Sequence, residues 1–284
     1  SGTISSSTWK PPKRRWPRTC GNKNEVTGQK ALVTGASRGI GKAIAVALRE
    51  AGCQVIGTSR RPENIQDKIE GIEYVRLDLL DERSIQDCVK KASPIDILIG
   101  NAGGSQIWPA AEAPLEKVKE QFQLNLFGPI KLAQGFLPNM IQRKKGFILI
   151  IGSLAGRFSI PFQSSYTASK LALAGFAWAL RNEVKTFGIK VVTLEPNHIR
   201  TTIKPDILLS PESGFQNEMA KVIRWREKNV DRGSSADVVA KKAVQILKKR
   251  NPRPFYAVGG SGPFLLLLKR ILPDKSIEKQ VRKN

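Results

Sequence analysis

Between residues 31 and 194 the chain repeats one pattern, a short run of consecutive apolar residues followed by a longer stretch in which apolar positions recur every three or four residues. The short runs fall at 31–34, 54–58, 74–77, 95–99, 146–151 and 190–194. They are rich in Val, Ile and Leu and lack the alternation of a half-exposed strand, which predicts six strands buried on both faces. The stretches 40–51, 83–91, 117–137 and 165–187 read as helices. Strands alternating with helices need right-handed crossovers, which leave neighbouring strands parallel. The predicted fold is therefore α/β, a doubly wound parallel sheet of the Rossmann type, in a single catalytic domain over residues 28–260. Such sheets bind ligands beyond the carboxyl ends of their strands, so chemistry is expected in the residues that follow each strand.

Charge and composition narrow the function classes. The 284 residues carry a formal charge of +23, but unevenly. Residues 1–30 hold seven Lys/Arg against one acid, residues 31–220 hold 23 against 18, and residues 221–284 hold 17 against five. The excess thus sits at the ends, where it is either solvated surface or a docking site for something anionic. No nucleic-acid motif accompanies it, so specific nucleic-acid binding is not expected. Residues 1–27 show no periodicity and read as a basic disordered arm. Their Ser-rich, acid-poor composition also fits an organelle transit segment, and a start without Met fits a processed end equally. Cys20, Cys53 and Cys88 have no pairing or metal-type spacing, which points to a reducing compartment, cytoplasmic or peripherally membrane-associated. His198 is the one histidine, so a multi-histidine metal site is not expected. The apolar runs are far shorter than the roughly 20 residues of a membrane-crossing helix.

Directly after the first predicted strand comes Thr34-Gly35-Ala36-Ser37-Arg38-Gly39-Ile40-Gly41, leading into a helix. Glycines there allow a tight turn and close approach to a pyrophosphate, and the helix amino terminus offers unpaired N–H groups. The segment is a candidate dinucleotide site through Gly35, Ser37, Arg38, Gly39, Ile40 and Gly41. After the second strand stand Ser59-Arg60-Arg61 instead of the carboxylate that would accept hydrogen bonds from a ribose 2′-hydroxyl. Arg60 and Arg61, with Arg38, suit a 2′-phosphate, which predicts NADP(H) over NAD(H). Further along, Tyr166 and Lys170 are four residues apart at the start of a helical run, on one face and one turn apart. A free tyrosine titrates near 10, and a neighbouring ammonium favours its ionised form. On their own, such a pair is equally an ordinary feature of a helix surface.

The G-x-x-x-G-x-G spacing of the turn, Gly100-Asn101-Ala102-Gly103 after the fourth strand and Tyr166-x-x-x-Lys170 together resemble the short-chain dehydrogenase/reductase family, over about residues 28–203. The resemblance implies a carbonyl–alcohol oxidoreductase. In it Tyr166 is the acid/base, Lys170 holds the nicotinamide ribose and lowers the tyrosine pKa, and Ser153 orients the substrate carbonyl. Asn125 binds a water that links the lysine to solvent. The resemblance also implies adenine contacts from Asp78 and Leu79, cofactor contacts from Asn101, Ala102 and Gly103, and nicotinamide contacts from Pro196, Ile199 and Thr201. Two positions depart from the family pattern. Gly100 stands for an asparagine, which puts a sheet hydrogen bond in doubt. Asn197 stands for a glycine, and is expected to tolerate a left-handed backbone. His198 reads as a surface or pocket-lining residue.

The resemblance further implies a mobile lid at 202–230. If 213–229 is helical, Phe215, Met219, Val222, Ile223 and Trp225 fall mostly on one face, either packed on the core or turned over the site of a lipophilic substrate. That second reading implies a carbonyl reductase with a place in lipid metabolism. Residues 261–284 form a basic extension with five apolar residues from Phe264 to Leu268. They suit contact with an anionic membrane surface, or burial within or between subunits of the homodimer or homotetramer common in the family. From a different class, the fold could serve a nucleotide sensor or scaffold whose basic ends bind an acidic partner; a protein of that kind has no need of Tyr166 and Lys170 together.

Overall fold

The computed structural model describes residues 26–158, 160–201, 204–262, 264 and 266. The basic arm with Cys20 and most of the C-terminal extension lie outside the described residues. All six predicted strands form, as β1 (Lys30–Val33), β2 (Gln54–Ser59), β3 (Ile72–Arg76), β4 (Ile97–Gly100), β6 (Gly146–Ile151) and β7 (Ile189–Pro196). A further strand, β9 (Phe255–Val258), completes a seven-stranded parallel sheet in the order β3-β2-β1-β4-β6-β7-β9. Sequence reasoning missed β9, whose four residues lie between Pro254 and Gly259 and are too few to establish a pattern. A short parallel pair, β5 (Gln106–Ile107) with β8 (Asp206–Ile207), ties the loop after β4 to the segment that follows β7.

The continuous apolar runs are explained by two helical layers. Along β6, Phe147, Leu149 and Ile151 face one core and Ile148 and Ile150 the other. The first core is closed by α1 (Gly39–Glu50) and α7 (Ala236–Leu247), through Ile44, Leu48, Val239 and Ile246. The second is closed by α2 (Glu82–Ala92), α4 (Gly128–Arg143) and α5 (Ser164–Glu183), through Ile85, Leu132, Phe136 and Leu173. Each fully buried aliphatic side chain of this kind contributes about 1.5–3 kcal/mol, so neither face of the sheet can be left uncovered.

The predicted helix 117–137 is longer and interrupted. It runs as α3 (Leu115–Phe122), a π-helical turn (Gln123–Phe127) and α4. A π turn adds a residue to the helical repeat and so re-aims the side chains within it; this one carries Asn125. Beyond β7 come α6 (Gln216–Asp231), close to the helix expected at 213–229, and α7, which was not anticipated.

Strand order reverses between β1 and β4. The chain steps from β1 outward to β3, returns to β4, and then steps the other way to β9. A crevice therefore opens between the carboxyl ends of β1 and β4. A cleft of about 2250 Å³ follows that edge, from Arg60 and Arg61 past the glycine turn to Tyr166 and α6.

Candidate active site

The turn after β1 is held from the neighbouring strand. Thr34 donates its hydroxyl to the Ile99 carbonyl (3.2 Å) and accepts from the backbone N–H groups of Asn101 and Ala102 (both 2.8 Å). The Asn101 amide returns a bond to the Thr34 carbonyl (2.8 Å). Gly41 cannot be replaced here, since a Cβ would sit 2.2 Å from the Gly35 carbonyl oxygen and 2.5 Å from the Asn101 side-chain nitrogen. Gly35 and Gly39 take left-handed φ angles of 67° and 57°. Arg38 caps α1 with an extended backbone and no side-chain hydrogen bond, so the first N–H groups of the helix face the cleft.

At the outer end of the cleft Arg38, Arg60 and Arg61 are exposed, and none makes an ion pair among the described residues. Asp78 accepts from the Leu80 N–H (3.0 Å) and its own N–H donates to Ser84 (2.9 Å), which fixes the Asp78-Leu79 edge of the cleft. Gly100 pairs in register with Ile150, and a Cβ there would meet nothing nearer than 3.8 Å. The sheet is intact without an asparagine at that position.

Asn125, wholly buried, reaches from the π turn to the loop after β4. Its Oδ1 accepts from the Gly104 N–H (2.9 Å), and its Nδ2 donates to the Gly104 carbonyl (3.0 Å) and to Ser169 Oγ (3.1 Å). Ser169 in turn donates to the Tyr166 carbonyl (2.8 Å), so Asn125 is connected to the helix turn that bears the tyrosine. Gly103 passes so close that a Cβ would lie 2.8 Å from Asn125 Oδ1 and 3.3 Å from Lys170 Nζ.

Ser153 follows β6, caps a short 3-10 turn (Leu154–Gly156) and lines the cleft with Tyr166, near enough to act on its hydroxyl. Lys170 Nζ lies 5.9 Å from the centre of the Tyr166 ring. Asn125, Ser153, Tyr166 and Lys170 therefore meet at one end of the cleft, beside Asn101, Ala102, Gly103, Pro196, Ile199 and Thr201. Burial pushes the Tyr166 phenol above its ordinary value, and it is pulled back by the Ser153 hydrogen bond and by the charge of Arg226. Burial lowers the Lys170 ammonium to about 8. Besides the Lys170 ammonium near its ring, the tyrosine thus feels a second cation, Arg226, on α6. Arg226 went unnoticed, although it stands next to Trp225 and four residues after Val222 on the face of α6 that borders the cleft.

The turn after β7 also differs from expectation. The left-handed residue is His198, with φ 39°, and not Asn197. The Asn197 N–H is held by the Val258 carbonyl (2.8 Å) and the His198 carbonyl by the Ser234 N–H (3.0 Å), which places the bend one residue later. His198 lines the cleft and packs edge-on against Trp225, ring centres 5.4 Å apart. Burial, reinforced by Arg226, keeps its pKa below the ordinary value. Beneath the loop after β6 a buried pair was missed as well, in which Arg157 binds Glu195 through two 2.8 Å contacts and stacks 4.6 Å from the centres of both Trp178 and Phe255.

The short chain dehydrogenase profile matches residues 29–210. The chain belongs to that family. It is similar to the dehydrogenase/reductase SDR family protein 7-like of Drosophila melanogaster, with 31% identity covering 81% of this chain and 73% of the relative. It is 32% identical to a 3-ketodihydrosphingosine reductase of Bacteroides thetaiotaomicron, covering 88% and 96%. Among solved structures, a short-chain dehydrogenase from Streptomyces avermitilis superposes with a TM-score of 0.77 at 30% identity, covering 90% of this chain and 95% of that one. A Burkholderia cenocepacia short-chain dehydrogenase in complex with NADP superposes at 0.73 and 21% identity, covering 90% and 98%. The protein is thus an oxidoreductase of a family that uses a nicotinamide cofactor.

Proposed function

We propose that this short-chain dehydrogenase is an NADP(H)-dependent reductase of a lipophilic ketone or aldehyde, working through Asn125, Ser153, Tyr166 and Lys170. The observation that carries the reading is the convergence of Ser153, Tyr166 and Lys170 at one end of a cleft whose other end is the glycine turn. The residues present suit a dinucleotide. The free N–H groups of α1 and the forced glycine at position 41 make room for a pyrophosphate, and Arg38, Arg60 and Arg61 are unpaired cations where a 2′-phosphate would lie. Asp78 and Leu79 border the adenine end, and Asn101 to Gly103 with Pro196, Ile199 and Thr201 border the nicotinamide end. When bound there, the cofactor supplies the hydride for the carbonyl carbon.

The chain's own groups manage the oxygen and its proton. Ser153 donates a hydrogen bond to the carbonyl oxygen and fixes it beside the Tyr166 hydroxyl. Tyr166, kept protonated by burial, gives its proton as negative charge develops on that oxygen. Lys170 binds the nicotinamide ribose and stabilises the transient tyrosinate. Asn125 orders the path through which the proton is replaced. Alcohol oxidation uses the same groups in reverse.

An apolar substrate is supported by the walls of the cleft, with Phe158, Ile160 and Phe162 on one side and Val222, Trp225 and Val230 of α6 on the other. We assign α6 and its flanks as the lid over this space. Exposed Leu115, Phe127 and Leu171 on α3, the π turn and α5 favour a homo-oligomer. The test is NADPH oxidation across a series of ketones and aldehydes of increasing chain length. Turnover that improves with length supports the assignment; no turnover with any carbonyl compound, under conditions where NADPH binds, overturns it.

A further inference from the structure

Among the described residues Arg226 has no structural employment. It is half-buried on α6, borders the cleft, and forms no hydrogen bond or ion pair among the described residues. The acid whose charge acts on it is Glu227, its neighbour in sequence, and no ion pair joins them. Asp206 and Glu218 also border this end of the cleft, both exposed and neither paired with it. A guanidinium presents five N–H donors in a planar fork, and withdrawing them from water without a partner costs free energy. The fold nevertheless brings this one to the wall of the cleft that Tyr166 and His198 also line. His198, held below its ordinary pKa and edge-on to Trp225, adds no competing positive charge near neutrality.

We propose that Arg226 is the anchor for an oxyanion, a carboxylate or phosphate, carried by the carbonyl substrate, so that the preferred substrate is an amphiphile with an acidic group near its carbonyl. This deepens the reductase assignment and rests on it. The apolar walls take the hydrocarbon part, Ser153 and Tyr166 take the carbonyl, and Arg226 binds the anionic group in the bidentate manner that guanidinium favours. Lys204 and Lys221, on the same rim, add to the attraction.

The test is a calorimetric titration of protein saturated with NADP⁺, which blocks anion binding at Arg38, Arg60 and Arg61, using octanoate, octyl phosphate and octanamide. The wild type is expected to bind octanoate or octyl phosphate at least about tenfold more tightly than octanamide, the scale of one charge-assisted pair. Whichever anion shows the larger preference identifies the group. Arg226→Gln should abolish the preference, Arg226→Lys should restore part of it, and Tyr166→Phe should retain it. Equal binding of the three ligands by the wild type, no binding of any, or a preference that persists in Arg226→Gln overturns the inference. Because no turnover is involved, this result is separable from the reductase reading. Anion preference without reduction of any carbonyl compound would sink only the latter, and reduction without anion preference only the former.

Discussion

Cofactor choice can be tested at three exposed arginines without disturbing the core. Arg60 and Arg61 follow β2 on the solvent side of the cleft, and Arg38 faces it from the glycine turn. On the proposed NADP(H) assignment, Arg60→Asp/Arg61→Ala would remove two guanidinium contacts to the 2′-phosphate. A hydrogen bond to a charged group contributes about 1.5–3 kcal/mol, and solvent screening of exposed side chains argues for the lower figure. Two such contacts give about 3 kcal/mol, or roughly a hundredfold in the NADPH dissociation constant. The new aspartate also repels the phosphate, yet it can accept a hydrogen bond from the 2′-hydroxyl of NADH, so NADH affinity should hold or improve. Titration of reduced-cofactor fluorescence measures both constants. The NADPH advantage of the wild type should shrink as salt rises, because the screening length falls from about 10 Å at 0.1 M to about 3 Å at 1 M. Equal losses for both cofactors, or tighter wild-type binding of NADH, would refute the assignment.

Other consequences are as direct. Lys170 in the folded protein titrates near 8, below the ordinary lysine value of 10.5, so between those limits the unfolded chain binds more protons and stability should rise with pH. Chemical denaturation of wild type against Lys170→Met should show that rise only in the wild type, and a parallel pH dependence would contradict it. Activity that depends on the ammonium should fall above about pH 8. Glu195→Gln should remove the carboxylate charge that faces the Arg157 guanidinium and cost about 3 kcal/mol in urea unfolding; a change under about 1 kcal/mol would mean that the other contacts of Arg157, the stacking on Trp178 and Phe255 among them, carry the site.

The core of the fold was legible because two-faced burial forces unbroken apolar runs such as 146–151, and because the glycine turn and the 166–170 pair have fixed spacings. What was hidden depends on tertiary partners. The strand Phe255–Val258 is too short to show a period and is defined by pairing with β7. The π turn at Asn125 has no signature in Gln123–Phe127. The left-handed bend fell on His198 because Val258 and Ser234 hold the backbone on either side of it, a constraint no local propensity for Asn197 could reveal. Nothing local marks Arg226 among the other charged residues of α6; the folding of that helix brings it to the cleft that Tyr166 lines.

The central claim is that Tyr166 delivers the proton while the rest of the cleft binds and orients. It is tested most directly by rapid-mixing measurement of NADPH oxidation in a single turnover, wild type against Tyr166→Phe, with NADPH affinity determined in parallel. The phenylalanine variant keeps the ring and loses only the hydroxyl. NADPH should bind both proteins alike while the oxidation rate falls by about 10²–10⁴-fold. Equal rates with equal NADPH affinity would contradict the account.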